Sequence, residues 1–278
     1  MRGRFKRSAL RTAAACAAFL LLFGAAAAQR NQAREALRYV VNNLCVPGQL
    51  QNRVSSPCNE VDISGGVDRG YAILKNIFGT SHYLLIATGQ LSGIESPALL
   101  APDAPNYFAE AWEARSYVFE ALGRTLPRDG VGLAINSTAS RSQDQMHIHM
   151  DCMRADVSAE LRRHNVEIGD RWAPLKFPLA GGHRYTAMWV PGEQLGANNP
   201  FKLLAEGIPG ATQNMGERTL VVVGASRADG TPGFVILTNQ VDRKRGELAH
   251  GEELQDHRCR IATPKEPLNK SSIPLWYR

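Results

Sequence analysis

The chain has 278 residues, 44% of them hydrophobic, which is enough to bury a core as one α+β domain or as two small domains. The formal net charge is +6. Five basic residues and no acidic ones fall within residues 1–28, so the remainder of the chain is close to neutral. This balance argues against a protein that binds nucleic-acid phosphates without sequence preference.

Residues 1–28 have the pattern of a bacterial export signal. A basic start is followed by an apolar run from Ala13, and Ala26-Ala27-Ala28 directly precede Gln29. Cleavage after the alanines and retention as a membrane anchor both fit, since the run is short against the roughly 20 residues of a spanning helix. We expect the chain at the bacterial inner membrane facing the periplasm, or free in the periplasm if the leader is removed.

Four cysteines follow the leader: Cys45, Cys58, Cys152 and Cys259. An even number in an oxidising compartment favours two disulfides over a metal or redox centre. Three pairings are open. We prefer Cys45–Cys58, which closes a short loop, together with Cys152–Cys259, which ties a predicted strand to the C-terminal region.

The hydrophobic pattern predicts an antiparallel α+β fold. Helices are predicted over 31–44, 105–122, 156–164 and 200–206. Strands are predicted over 70–75, 82–88, 131–136, 145–153, 184–190, 219–225 and 234–238. A hairpin, a helix and two more strands precede residue 154, and the order after 184 loosely repeats this, which suggests a second, related unit. We expect one hydrolase domain over 31–262 and a polar tail over 263–278.

The predicted strand 145–153 carries the strongest chemical signal. Because strand side chains alternate, Gln145, His147, His149 and Asp151 project from one face and the intervening apolar residues from the other. A neutral imidazole is a good nucleophile toward phosphorus, and a second one can donate to a phosphoryl oxygen. The pattern therefore predicts a site in which one imidazole attacks phosphorus and the other stabilises the charge on its oxygens.

Two other interpretations of the same strand stay open. The His-x-His pair can lie on a surface strand without any chemical task. Same-face histidines can also bind zinc with Asp151 as a third ligand, but no third histidine lies nearby in sequence, so we expect neither metal nor cofactor. The five other histidines carry no local signature, and a structural role is the simpler expectation for each: His82, His164, His183, His250 and His257.

The segment from Ala134 to Ser137, followed by Ser142 to His149, resembles the histidine-triad (HIT) superfamily. Over residues 36–260 the chain more closely resembles the bacterial CDP-diacylglycerol pyrophosphatase family. The features that carry this resemblance are Cys45, Ser56-Pro57-Cys58, Gly70–Lys75, Glu95-Ser96-Pro97, Pro105–Phe108, Leu133–Ser137, His147-Ile148-His149, Cys152, Ala155-Asp156-Val157 and Asp256–Cys259.

This resemblance implies a HIT-like antiparallel sheet with packed helices that hydrolyses CDP-diacylglycerol to CMP and phosphatidate. The implied partners are the lipid nucleotide and a membrane surface, with no nucleic acid; no oligomeric state is implied. Alternative functions are a histidine-triad hydrolase or transferase acting on a soluble nucleotide, and an exported binding protein without catalysis.

Residue by residue, the resemblance makes His147 the nucleophile and His149 the histidine that contacts phosphate. Asn136 corresponds to an asparagine beside the nucleotide, and Ser142 to a loop residue near the phosphate. Gln145 stands where the superfamily has its first histidine. An amide donates a hydrogen bond but cannot shuttle a proton at neutral pH, so the leaving group must obtain its proton elsewhere.

Overall fold

The structure is a computed structural model and describes residues 32–263. The predicted leader over 1–28 and the predicted tail from residue 264 onward lie outside these residues. Among the helices of the described part, none combines the length and the apolar character needed to cross a bilayer.

A single antiparallel sheet of nine strands organises residues 32–263, in the order β1-β2-β3-β5-β4-β8-β9-β7-β6. The prediction of an antiparallel α+β fold is confirmed. The longest strands are rich in β-branched residues, which pack well on a pleated surface. The strands are β1 (Glu60–Asp62), β2 (Tyr71–Lys75), β3 (Tyr83–Ala87), β4 (Val131–Ile135), β5 (His147–Cys152), β6 (Ala173–Pro174), β7 (Thr186–Pro191), β8 (Arg218–Ser226) and β9 (Pro232–Gln240).

Short helices pack on both faces of the sheet. The first, α1 (Ala36–Val40), continues through a π-helical turn (Val41–Cys45) into α2 (Val46–Asn52). The others are α3 (Tyr107–Glu113), α4 (Ser116–Leu122), α5 (Ala155–Arg163) and α6 (Pro200–Gly207).

Two local predictions were wrong, and two short strands were missed. The helical segment does not end at residue 44, because it continues through the π-helical turn into α2, with Pro47 at the second position of α2. The single helix predicted over 105–122 is two helices, and Asn106 rather than Pro105 begins the first, accepting a hydrogen bond from the Ala109 amide. The strands β1 and β6 were not predicted, because with three and two residues they are too short to show an alternating pattern.

The sheet consists of two halves with the same strand order. In the first half β2 pairs with β3, β3 with β5, and β5 with β4. In the second half β6 pairs with β7, β7 with β9, and β9 with β8. The halves join along the pair β4–β8, so β5 and β9 occupy equivalent places.

The two faces of the sheet are covered differently. One face carries the largest core, formed with α3, α4 and α6 around Phe108, Trp112 and Phe201. The opposite face carries two smaller cores, one under the segment α1–α2 and one under α5. Strand β5 lies between these smaller cores, so its side chains on that face are free to line a site.

Both preferred disulfides are present. Cys45–Cys58 joins the π-helical turn to the segment before β1, with Cα atoms 5.7 Å apart. Cys152–Cys259 joins the end of β5 to the C-terminal segment, with Cα atoms 5.2 Å apart. The second bond therefore fixes a distant part of the chain against β5.

Candidate active site

The side chains of β5 alternate between the large core and a polar cluster. Ile148 and Met150 are fully buried in the large core. His147 and His149 project from the opposite face, with their ring centroids 4.9 Å apart and only 5% and 7% of each residue exposed. The two imidazoles thus lie side by side on one face of the strand.

The hydrogen bond of His147 fixes which ring nitrogen carries the proton. Its Nδ1 lies 2.6 Å from the backbone carbonyl oxygen of Gln145. A carbonyl oxygen only accepts, so Nδ1 donates and Nε2 keeps its lone pair. Burial lowers the pKa of His147, so the ring is neutral at pH 7. A neutral imidazole with a free Nε2 is the form that attacks phosphorus.

The side chain of Gln145 is buried just before β5 and contacts the end of β3. Its amide nitrogen donates to the carbonyl oxygens of Ala87, at 2.6 Å, and Gly89, at 2.7 Å. Its amide oxygen accepts from Arg38 Nε at 3.1 Å. The catalytic role predicted for Gln145 stays a prediction, and the contacts seen here are those of a positioning residue.

His149 lies between Asn136, His82 and Glu252. The Asn136 amide donates to Glu252 Oε2 at 3.1 Å and accepts from the Glu252 backbone N–H at 3.2 Å, which fixes its orientation. Its nitrogen then faces His149 Nε2 at 3.4 Å, so Nε2 accepts and Nδ1 carries the proton. Nδ1 meets His82 Nε2 at 2.9 Å and Glu252 Oε1 at 3.3 Å. Burial holds the pKa of His149 well below its usual value.

His257 is held between two carboxylates behind this pair. Its Nδ1 donates to Asp151 Oδ2 at 2.7 Å, and its Nε2 lies 3.1 Å from Glu252 Oε1. These hydrogen bonds, that to Asp151 first, raise the pKa of His257 to about 10, so it is an imidazolium at neutral pH. Its ring stacks on His82 with centroids 4.4 Å apart.

The buried cluster keeps His82 neutral and Glu252 ionised. Burial lowers the pKa of His82 to about 4, so that this ring is neutral. Burial also opposes ionisation of Glu252, but hydrogen bonds from His250 and His257 outweigh it and hold the pKa of Glu252 far below its usual value. A fixed negative charge therefore lies beside His149, which favours a proton on that ring whenever an anion approaches from the other side.

Sequence reasoning found the histidines of β5 and missed most of their partners. His82 and His257 lie 67 residues before His149 and 106 residues after Asp151, the groups they contact. His82 and Glu252 lie in no local motif, and His257 lies in the segment Asp256–Cys259, for which the sequence indicated no chemical role. One signal was available: the preferred Cys152–Cys259 pairing places His257 beside the end of β5. His164 and His183 pair with Glu167 and Glu253 instead.

Some of these groups have the spacing of metal ligands. His82, His149 and Glu252 present ligand atoms 2.9 to 4.0 Å apart, and His82, Asp151 and His257 form a second such group. Zinc binds these side chains in proteins. Each group thus combines two histidines with one carboxylate, and the expectation of a metal-free site stays a prediction.

A cavity of about 330 Å³ lies over the two histidines of β5. Ser142 and Gln143 form its polar side, and Ser142 is exposed to solvent. Residues of α1, β2, β3 and the loop between these two strands form its apolar side. Ser142 therefore lines the entrance, while Asn136 contacts Nε2 of His149.

A family model described as CDP-diacylglycerol pyrophosphatase matches residues 32–263. The match spans the structure from its first helical turn to the segment that carries His257, and it confirms the resemblance seen in the motifs. The chain hydrolyses CDP-diacylglycerol, a phosphoric anhydride. This activity is supported over the two alternatives, a soluble nucleotide substrate and binding without catalysis. The chain belongs to the CDP-diacylglycerol pyrophosphatase family.

Proposed function

We propose that His147 performs the hydrolysis as a covalent nucleophile. The observation that carries this proposal is the 2.6 Å hydrogen bond from His147 Nδ1 to the Gln145 carbonyl, on a buried neutral ring that lines the cavity. This bond leaves Nε2 unprotonated and directs it away from the backbone. A second imidazole 4.9 Å away can contact the same diphosphate.

The reaction proceeds in two displacements. Nε2 of His147 forms a bond to the cytidylyl phosphorus, and the bond from that phosphorus to the bridging oxygen breaks, which releases phosphatidate. Water then attacks the same phosphorus, the N–P bond breaks, and CMP leaves with the hydroxyl of the water while its remaining proton passes to solvent. His147 returns to its neutral form.

The leaving group explains how Gln145 can replace a histidine. Phosphatidate leaves as a phosphate monoester, whose second pKa is about 6. Such a group departs as an anion at neutral pH and needs no proton donor. The amide of Gln145, which cannot transfer a proton, is therefore compatible with this substrate, and it is free to fix β3 and α1 through its hydrogen bonds.

His149 stabilises the charge that develops on the non-bridging oxygens. The diphosphate raises the proton affinity of the ring, and Glu252 Oε1, 3.3 Å from Nδ1, stabilises the imidazolium that results. Asn136 holds the ring in place through Nε2 and moves aside or shares that atom when the phosphate binds. His257 offsets part of the Glu252 charge.

The test is CMP release by the purified full chain and its His147→Ala variant. We expect a loss of at least about a thousandfold in the variant, and an acid-labile phosphohistidine in the parent when CDP-diacylglycerol labelled at the cytidylyl phosphate is quenched during turnover. The matched control is His164→Ala, which removes a histidine bonded to Glu167 outside the cluster. A His147→Ala protein with full CMP release would remove this mechanism.

We also propose a HIT-like fold and a place of action on the periplasmic side of the bacterial inner membrane. The repeated strand order and the histidines of β5 support the first. The export-like leader and two disulfides support the second, since disulfides persist in oxidising compartments. Mass measurement of the N-terminus in membrane and soluble periplasmic fractions tests the location; recovery of the chain in the cytosol alone would overturn it.

A further inference from the structure

The loop between β2 and β3 presents two adjacent apolar side chains to solvent. Ile77 is 88% exposed and Phe78 is 71% exposed. Single exposed apolar residues are ordinary on a protein surface. Two adjacent exposed apolar side chains at the rim of the cavity form an apolar patch. Water is excluded from this patch only when another apolar surface covers it.

The loop is built to hold these side chains outward. The ammonium of Lys75 donates to the carbonyl oxygens of Asn76 at 3.0 Å, Gly79 at 2.9 Å and His82 at 3.2 Å. The Phe78 amide donates to Asn76 Oδ1 at 3.0 Å. The backbone around the apolar tip is thus fixed by its own polar groups, and the exposure of the tip is a property of the fold.

The loop is also tied to the catalytic cluster. The Thr80 amide donates to the backbone carbonyl of His257 at 3.1 Å. His82, which ends the loop, contacts His149. Whatever covers the Ile77–Phe78 tip is therefore placed at a fixed distance from the histidines of β5.

An apolar surface connects the tip with the histidines. Ile77 and Phe78 line the same cavity as His147 and His149. The remaining apolar wall consists of Ala36, Leu37, Val40, Leu74 and Leu84. A ligand with an apolar end and a phosphate end matches this arrangement.

The size of the cavity decides where the acyl chains lie. Its volume of about 330 Å³ lies at the small end of the range for ligand-binding pockets. Two phospholipid acyl chains do not fit in that space. The cavity can take the diphosphate and the glycerol, while the acyl chains stay in the bilayer, so the rim must touch the bilayer surface.

We infer that the Ile77–Phe78 tip is the lipid-docking surface of this enzyme and enters the interface of a phospholipid bilayer, placing the diphosphate of an embedded lipid nucleotide over His147. This inference rests on the proposed function. The position of α1 agrees with this inference, because α1 forms one wall of the cavity. The seven residues between Ala28, the end of the predicted leader, and Ala36, the start of α1, span at most about 28 Å. A leader retained as a membrane anchor therefore keeps the cavity near the bilayer.

The experiment places a tryptophan at the tip of the full chain. Phe78→Trp is compared with Val166→Trp, since Val166 is 73% exposed but does not line the cavity. Each variant is mixed with vesicles of phosphatidylcholine and phosphatidylglycerol, with or without bromine on the acyl chains, and the emission of the parent chain is subtracted. We expect bromine to quench the Phe78→Trp emission and to leave the Val166→Trp emission unchanged. Absent quenching at the tip, or equal quenching at both positions, overturns the inference.

A kinetic arm uses Ile77→Ser with Phe78→Ser on CDP-diacylglycerol in the same vesicles. We expect kcat/KM to fall by about tenfold or more, since two apolar contacts with the bilayer are lost, while Val166→Ser keeps the parent value. An unchanged kcat/KM in the double variant also overturns the inference. Because quenching needs no turnover, quenching without hydrolysis would count against the proposed function alone, and hydrolysis without quenching against the docking surface alone.

Discussion

Strands β5 and β9 hold equivalent places in the two halves of the sheet but have different tasks. On the same face of the sheet, β5 carries His147, His149 and Asp151, whereas β9 carries Val235 and Leu237. The apolar pair is buried under α5. The comparison teaches that strand order alone does not make a site; the chemistry comes from the side chains placed on it.

The polar strand needs partners that the apolar strand does not. Burying an imidazole is unfavourable unless its nitrogens find hydrogen bonds. For His149 these come from Asn136, His82 and Glu252, while Leu237 needs only apolar neighbours. The first half therefore gives up apolar packing on this face and gains a hydrogen-bonded cluster.

The sharpest way to break the comparison is to truncate one residue on each strand. We expect His149→Ala to lower kcat by about a hundredfold to a thousandfold, the loss typical of one charge-stabilising donor. Leu237→Ala should instead lower the free energy of unfolding by about 2–5 kcal/mol and keep kcat per folded molecule. Steady-state kinetics and denaturant unfolding measure the two effects. If both variants lost activity only in proportion to their unfolded fraction, β5 would be as structural as β9.

A smaller expected effect is a pH dependence of the free energy of unfolding, which the polar cluster on β5 has and the apolar face of β9 lacks. The pKa of His257 is raised from 6.5 to about 10 in the folded protein, so between these values the folded chain keeps a proton that the unfolded chain has lost. The stabilisation is complete below pH 6.5 and falls as the pH rises toward 10. We expect the parent to lose stability relative to His257→Gln over this range, measured by urea unfolding at each pH.

The corresponding control is Leu237→Ala, whose stability difference from the parent should not depend on pH over the same range because no proton is involved. A pH-independent difference for His257→Gln would show that the two carboxylates do not hold a proton on His257.

The smallest expected effect concerns metal. We expect CMP release to be unchanged after treatment with EDTA and dialysis, because the proposed displacement at His147 needs no metal ion. The assay is turnover of CDP-diacylglycerol before and after chelation. Complete loss of activity, restored by Zn²⁺, would assign the polar strand to a zinc centre instead.

Local pattern predicted much of this fold because the longer strands show either an alternating pattern, as in β5, or a continuous apolar run, as in β3 and β4. The face of β5 that holds His147 and His149 follows directly from its alternation. The cluster around them did not follow, since Glu252 and His257 reach β5 through contacts more than a hundred residues apart in sequence. The helix beyond residue 44 was missed for a different reason, because the proline and glycine residues between Cys45 and Cys58 favour a loop.

The Cys152–Cys259 bond adds a condition to catalysis. Cys152 directly follows Asp151, and Cys259 lies two residues beyond His257, so the bond covalently secures the contact between these two groups. A newly made chain with both thiols reduced must hold His257 against β5 by weaker forces alone. We therefore expect the contact between Asp151 and His257 to be weaker in the reduced chain than in the oxidised one.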